Sequence, residues 1–203
     1  MDRSSIITSA YNNGWAKAEP LIQSIFGYID PIQCEALFGL SASLPDGATI
    51  LEIGAFKGKS TACLSIPCIG TKKKVYSIDP FQKQPTSEYS GDIWNYSLDD
   101  WHNNMSIIGT TDIVNPIIGL SEDIAPNWNK PINMLFIDGA HTYDGALADV
   151  NNYFKWLIPG GIIAMHDVME GSPWQGVLKV WNENVLPHIT NIISFDSLCI
   201  GCT

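Results

Sequence analysis

The chain predicts an α/β fold, a mostly parallel sheet with helices on both faces. Three observations carry that reading. From residue 49 onward, short apolar runs of strand length alternate with segments of helical spacing. Two of the runs, Met134-Leu-Phe-Ile-Asp-Gly-Ala-His141 and Gly160-Gly-Ile-Ile-Ala-Met-His-Asp167, break abruptly from apolar sequence into acid and imidazole. The chain then closes on apolar runs at 189–195 and 198–200, separated by Asp196-Ser197. That spacing suits a tight hairpin whose last strand runs antiparallel.

The elements follow in order. Residues 1–29, with Trp15, Phe26 and Tyr28, form a lead-in of undefined structure ahead of a domain at 30–203. Asp30-Pro-Ile-Gln33 supplies an N-cap, a Pro at the first helical position and a Gln at the third. Leu37, Leu40 and Leu44 continue that helix until Pro45-Asp-Gly47 stops it. Strands are expected at 49–53, 75–79, 113–118 and 132–138, with helices at 60–68 and 98–108 and a short one near Asp123. Leu147, Val150, Phe154 and Leu157 mark a helix by their spacing. Pro159-Gly-Gly161 turns the chain into a fifth strand, and Ser172-Pro-Trp-Gln175 repeats the capping-box logic before a helix through Val177, Val180 and Trp181.

Bulk properties narrow the function. The 203 residues make one ordinary domain, and 45% hydrophobic with 16% charged content fits a globular protein. A net charge of −10 disfavours nucleic-acid binding, which needs clustered Lys and Arg. Lys72-Lys73-Lys74 reads as a solvated turn. The five scattered cysteines suit reduced thiols, and the lone Cys199/Cys202 pair in a strand pattern cannot close a zinc site by itself. The start lacks the apolar core of a signal peptide, and no apolar run reaches membrane-spanning length. A cytoplasmic protein with no membrane or nucleic-acid partner is expected; homo-oligomerisation is left open.

In an open α/β sheet, ligands bind beyond the carboxyl ends of the strands. Asp138, His141, His166 and Asp167 should therefore share one rim. Structural capping of the following helices is the plainer role for such acids. Leu51-Glu-Ile-Gly-Ala-Phe-Lys-Gly58 puts an acid at a strand end, then two glycines, then a helix. The G-x-G-x-x-G of dinucleotide sites is absent, which disfavours a nicotinamide-dependent oxidoreductase. Glu52 could pair with an ammonium group, while the helix start at Ser60 offers amides to a carboxylate. Asp79 ends the second strand, 21 residues after Gly58, about where an acid meets ribose hydroxyls; it can also cap the Asp-Pro turn. Tyr89, Trp94 and Tyr96 suggest an acceptor wall or lid, Trp101 a core residue, and Trp15 and Trp174 could also reach the rim.

These motifs resemble a known family. Glu52-x-Gly54-x-x-x-Gly58 with Asp79 looks like the first two motifs of class I S-adenosylmethionine-dependent methyltransferases. Gly119-Leu-Ser-Glu-Asp-Ile124 resembles the adenine-side loop of the catechol O-methyltransferase type. The string Ile-Asp-Gly-Ala-His-Thr-Tyr-Asp-Gly, followed by Pro-Gly-Gly and His-Asp, is similar to the group that includes macrocin O-methyltransferase and cephalosporin hydroxylase-like proteins. The resemblance implies a Rossmann-like seven-stranded sheet in the order 3-2-1-4-5-7-6. It implies donor binding by Glu52, Gly54, Ala55, Gly58, Ser60, Asp79, Ser121, Glu122 and Asp138. It also implies a divalent metal on Asp138, His166 and Asp167, with His166 in place of the family's acid.

Carboxylates and water suit Mg²⁺, whereas an imidazole in the shell tilts preference toward Mn²⁺, Fe²⁺ or Zn²⁺. His141 falls where the family places its catalytic lysine and would act as base beside Asp138. The function implied is O-methylation of a small molecule or glycan hydroxyl with S-adenosylmethionine as donor. Two alternatives stay open: a metal-independent methyltransferase of the same fold, and a non-catalytic S-adenosylmethionine-binding domain.

Overall fold

The apolar runs become strands β1 (Thr49–Ile53), β2 (Lys74–Asp79), β3 (Val114–Ile118), β4 (Ile132–Ile137), β5 (Leu157–Met165), β6 (Thr190–Phe195) and β7 (Leu198–Cys202). In the computed structural model, which describes residues 1–82 and 96–203, they form one sheet in the order β3-β2-β1-β4-β5-β7-β6. The first five strands pair in parallel, and β7 runs antiparallel to both β5 and β6. This is the expected topology. Tyr89 and Trp94 lie outside the described residues.

Alternation along each strand fills two layers. Ile50, Met134, Phe136, Ile162 and Ala164 face one core; Leu51, Ile53, Leu135, Ile137, Ile163 and Met165 face the other. The first core is covered by α1 (Arg3–Asn12), α2 (Trp15–Ser24), α3 (Pro31–Ser43), α4 (Lys59–Ser65) and α5 (Leu98–Ile107). On the second lie α6 (Ser121–Ile124), α7 (Tyr143–Tyr153), α8 (Gln175–Val180) and the π-turn Trp181–Val185. Burial on both faces explains why the strands read as continuous apolar runs.

The lead-in is two helices. Asp2 caps α1 by accepting the Ser5 amide at 2.7 Å, and Ile6, Ala10, Trp15, Ala18 and Ile22 sink into the first core. Trp15 packs on Phe38, ring centroids 5.5 Å apart, and so does not reach the rim. At Asp30 the capping box forms as expected, with the Asp30 amide donating to Gln33 Oε1 at 3.0 Å.

Three local expectations are corrected. β5 already begins at Leu157, and Pro159-Gly-Gly161 lies within it as a bulge, where pairing jumps from Ile132↔Leu157 to Met134↔Ile162. Leu157 thus leaves the helical stripe; α7 ends at Tyr153 and a 3₁₀ turn, Phe154–Trp156, follows. No capping box forms at Ser172, because Trp174 is non-helical and α8 starts only at Gln175. Ser172 Oγ instead accepts the Trp174 amide at 3.1 Å, and Gln175 donates its side-chain amide to the Ser172 carbonyl at 2.7 Å.

Helix α1 lies so close to α3 that a Cβ on Gly39 would stand 2.2 Å from the Ile6 carbonyl oxygen. A backbone oxygen cannot swing aside. Gly39→Ala should therefore cost about 2 kcal/mol, the usual penalty for overpacking a core, read as a lower urea midpoint. An unchanged midpoint would mean that α1 adds nothing to the fold.

Candidate active site

The donor loop is shaped by backbone crowding. A Cβ on Gly54 would stand 2.0 Å from the Asp138 carbonyl oxygen, and its φ is +87°. Only glycine lets the turn after β1 pass the turn after β4. Phe56, Phe81 and Asp167, which follow β1, β2 and β5, also hold positive φ. For bulky aromatic residues this conformation is strained, and such strain clusters at functional rims.

Glu52 is wholly enclosed. Its Oε2 accepts the hydroxyls of Thr61 and Ser77, each at 2.6 Å, and the Trp101 indole donates to Thr61 Oγ1 at 3.1 Å. Trp101 is the core residue it was expected to be. Oε1 of Glu52 is buried with no hydrogen-bond partner. Burial lifts the Glu52 carboxyl to about 7, against the pull of the Ser60, Ser77 and Thr61 hydroxyls. Gly58 is the N-cap residue of α4, and Ser60 is buried in that helix's first turn.

Asp79 gathers four donors among the described residues. Oδ2 accepts the amides of Ala55 (2.8 Å) and Phe56 (3.0 Å); Oδ1 accepts the Phe81 amide (2.6 Å) and the Tyr96 hydroxyl (2.9 Å). The Phe81 bond is the turn-capping role; the other three tie the donor loop and Tyr96 to β2. Phe56 also meets Tyr96, Phe26 and Tyr28 at centroid distances of 4.8, 6.1 and 5.8 Å, so the lead-in borders this loop.

On the other side of the sheet, Leu120 rather than Ser121 is the N-cap residue of α6. The Ser121 hydroxyl bonds the Asp149 carboxylate on α7, the Tyr153 hydroxyl donates to the Ser121 carbonyl at 2.7 Å, and Glu122 is exposed. Asp149 is buried and also faces the Ala140 amide; burial raises its carboxyl to about 6. Sequence reasoning missed it, although an acid beside the apolar stripe of α7 was a usable signal.

The four rim residues do come together. Asp138, His141 and Asp167 each present a ligand atom within 4.8 Å of the others. His141 Nε2 lies 2.9 Å from Asp167 Oδ2, and the Trp174 ring stacks on His141 at 4.5 Å and 29°. Of the two outlying tryptophans, Trp174 reaches the rim. His166 stands behind this group. Its Nδ1 is 3.3 Å from Asp138 Oδ1 and 3.4 Å from Asp167 Oδ2. Those are ion-pair distances, but the atom is directed at neither oxygen for a hydrogen bond.

Burial disfavours charge on His166, yet Asp138 and Asp167 push its pKa up to about 10. Burial likewise opposes charge on His141, and Asp167 with Asp138 outweighs it and raises the value. Burial would raise Asp167, but the two imidazoles hold it well below the carboxylate range. On the far side of His166, Nε2 meets Gln33 Oε1 at 3.0 Å. Gln33 was legible only as a capping residue.

Comparison with known proteins agrees with this arrangement. Residues 51–168 match a family described as "Methyltransferase domain". An uncharacterized protein of Acanthamoeba polyphaga mimivirus, R132, is 26% identical over 196 residues, covering 89% of this chain and 75% of that protein. Cofactor-bound Rv0187 from MTB superposes with a TM-score of 0.67 at 18% identity, over 93% of this chain and 88% of that one. The O-methyltransferase from Bacillus cereus in complex with SAH gives 0.64 at 19%, over 98% and 91%. TomG from Streptomyces achromogenes, an O-methyltransferase in complex with SAM, gives 0.62 at 18%, over 93% and 88%. The family match spans more than half of the chain and takes in the donor loop and both rim strands. The chain belongs to the methyltransferase-domain family, and its fold is that of the class I S-adenosylmethionine-dependent methyltransferases.

Proposed function

We propose that this chain transfers a methyl group from S-adenosylmethionine to a hydroxyl of a small molecule or glycan, with a divalent ion assisting. The observation that carries this reading is the contact of Gly54 with Asp138, which sets the donor loop directly against the acid–imidazole rim.

The donor fits the residues present. The partnerless Glu52 Oε1 suits an ammonium group. The Tyr96 hydroxyl makes to Asp79 the kind of bond a ribose hydroxyl would make. Gly54, Ala55, Gly58 and Ser60 would carry the amino-acid end, and Ser121 with Glu122 the adenine side. The structures of the Bacillus cereus and Streptomyces enzymes, by their descriptions, hold SAH and SAM.

A divalent ion fits as well, because a buried, partnerless imidazole nitrogen faces two carboxylates. Asp138, Asp167 and His166 would hold it. When bound it would lower the pKa of the acceptor hydroxyl, and its charge would oppose the pull of Asp167 and Asp138 that raises the His141 pKa. His141, its ring plane set by stacking on Trp174, then takes the hydroxyl proton. The oxygen's electron pair forms the new O–C bond as the C–S bond of the sulfonium breaks. Asp138 and Gly54 hold the two reactants in line, where alignment supplies much of the acceleration.

The lead-in at residues 1–29 would cap the acceptor: its exposed Phe26 and Tyr28 lie beside Phe56 of the donor loop. A net charge of −10 fits a small acceptor better than a nucleic acid, and no described helix is long and apolar enough to cross a membrane. A metal-independent reading draws on one observation, the His141–Asp167 pair at 2.9 Å, which is an imidazole–carboxylate dyad complete without an ion.

Chelation with EDTA should abolish methyl transfer to a panel of phenolic and sugar acceptors; full activity afterwards would favour the dyad. His141→Ala should slow turnover about 100-fold or more, the usual size of a general-base effect, while calorimetry shows SAH binding unchanged.

Glu52→Gln makes two further demands. SAH affinity should fall at least about tenfold through loss of the ammonium partner, on the order of a charged hydrogen bond. The stability profile should also change. The Glu52 carboxyl rises from 4.5 to about 7 on folding, so the folded protein holds its proton more tightly. Its stability contribution is complete below pH 4.5 and is lost as pH rises through 7, on the order of 3 kcal/mol. Thermal melts of Glu52→Gln should lack that decline between pH 5 and 8. An unchanged slope would remove Glu52 as its source.

A further inference from the structure

We infer that His166 is a metal ligand through Nδ1, that Gln33 on α3 holds it in the ligating tautomer, and that the rim therefore selects an ion of the Mn²⁺-to-Zn²⁺ series over Mg²⁺. This rests on the reading that the rim binds a divalent ion.

The orientation of the buried Gln33 amide is over-determined. Its Oε1 accepts the Asp30 amide at 3.0 Å, while its Nε2 donates to the Phe195 carbonyl at 3.3 Å and to Ser197 Oγ at 3.0 Å. A flipped amide would set N–H against N–H at Asp30 and oxygen against oxygen at Phe195. Oε1 therefore faces His166 Nε2 at 3.0 Å, and that ring nitrogen must carry the hydrogen; Ser197 Oγ stands farther off at 3.5 Å. In the neutral imidazole the lone pair then sits on Nδ1.

That lone pair lies beside two carboxylates, where either a proton or a metal ion completes it. The His166 side chain is 8% exposed, and Nδ1 faces Asp138 Oδ1 and Asp167 Oδ2. Two carboxylate oxygens and a lone pair converge favourably only around positive charge. Donor atoms each about 2.1 Å from a shared ion lie roughly 3.0 to 3.4 Å apart. The observed 3.3 and 3.4 Å match that spacing. Mg²⁺ prefers an all-oxygen shell, whereas imidazole suits the later first-row ions. A ligating histidine whose other nitrogen donates to a fixed acceptor is the usual way such a ring is oriented.

The test uses the metal-free 203-residue chain titrated with Co²⁺ and Mg²⁺ by calorimetry, with the visible Co²⁺ spectrum and long-range ¹H–¹⁵N NMR of His166. Zn²⁺-loaded wild type should show the Nε2–H tautomer, and the Co²⁺ form a visible spectrum carrying a nitrogen ligand. His166→Asp should reduce the Co²⁺:Mg²⁺ affinity ratio at least about tenfold and shift that spectrum. Gln33→Leu should weaken Co²⁺ by about 10- to 100-fold, and Gln33→Glu, whose protonated carboxyl donates to the Phe195 carbonyl while its other oxygen accepts from Nε2–H, should restore most of it. An unchanged ratio and spectrum in His166→Asp overturns this inference and leaves the metal reading standing. Failure of wild type to bind either ion, while it still binds SAH, overturns both.

Discussion

A ladder of backbone hydrogen bonds continues one step beyond the ends of four strands, and the site depends on it. Gly119 donates to Asp79 O at 3.1 Å, Gly54 to Ile78 O at 2.9 Å, Asp138 to Ile53 O at 2.8 Å and His166 to Ile137 O at 3.0 Å. These bonds hold the first residues of four loops in register as if they were still sheet. Side chains that bind or react are therefore mounted on the most rigid part of the fold, and loop entropy does not blur their spacing. The Gly54–Asp138 approach is one consequence. A residue with a Cβ at position 54 would part the two loops and with them the donor from the acceptor side.

The same rim concentrates charge where water is scarce, and it does so in two ways. At Glu52 and Asp149 burial wins: each carboxyl is lifted toward neutrality and is held by hydroxyls and amides rather than by a cation. At Asp138, His141, His166 and Asp167 opposite charges compensate one another, which keeps Asp167 ionised and both imidazoles basic. A buried ion cluster of that kind stabilises little by itself, since desolvation offsets most of the attraction. Its presence at the strand ends is easier to understand as a site than as a structural device.

Strand positions, the hairpin and the identities of the acids at strand ends were legible, because burial on both faces imprints unbroken apolar runs and the polar break marks the rim. The order of the strands came from the motif resemblance, since no local pattern encodes which strands neighbour each other. What stayed hidden were partners. Ser121 finds Asp149 28 positions away, and His166 finds Gln33 133 positions away. The bulge at Pro159-Gly-Gly161 was misread because the same residues that make turns also tolerate a register mismatch inside a strand, here an advance of five residues on β5 against two on β4. Ser172 carried a capping-box pattern, but Gly176 packs against the Tyr143 backbone, where a Cβ would stand 2.5 Å from its nitrogen, and α8 begins only at Gln175.

The hidden Gln33 contact also changes what residues 1–29 do. The lead-in and the domain proper share one core, with Ile6, Trp15 and Ile22 beside Phe38 and Phe136. Helix α3 is the joint. Its inner face receives α1 and α2, and its first turn carries the amide that orients His166. The capping box fixes Gln33 with respect to the helix axis, so any tilt of α3 moves the acceptor that His166 requires. The N-terminal helices and the acid–imidazole rim, far apart in sequence, thereby meet on one helix, α3.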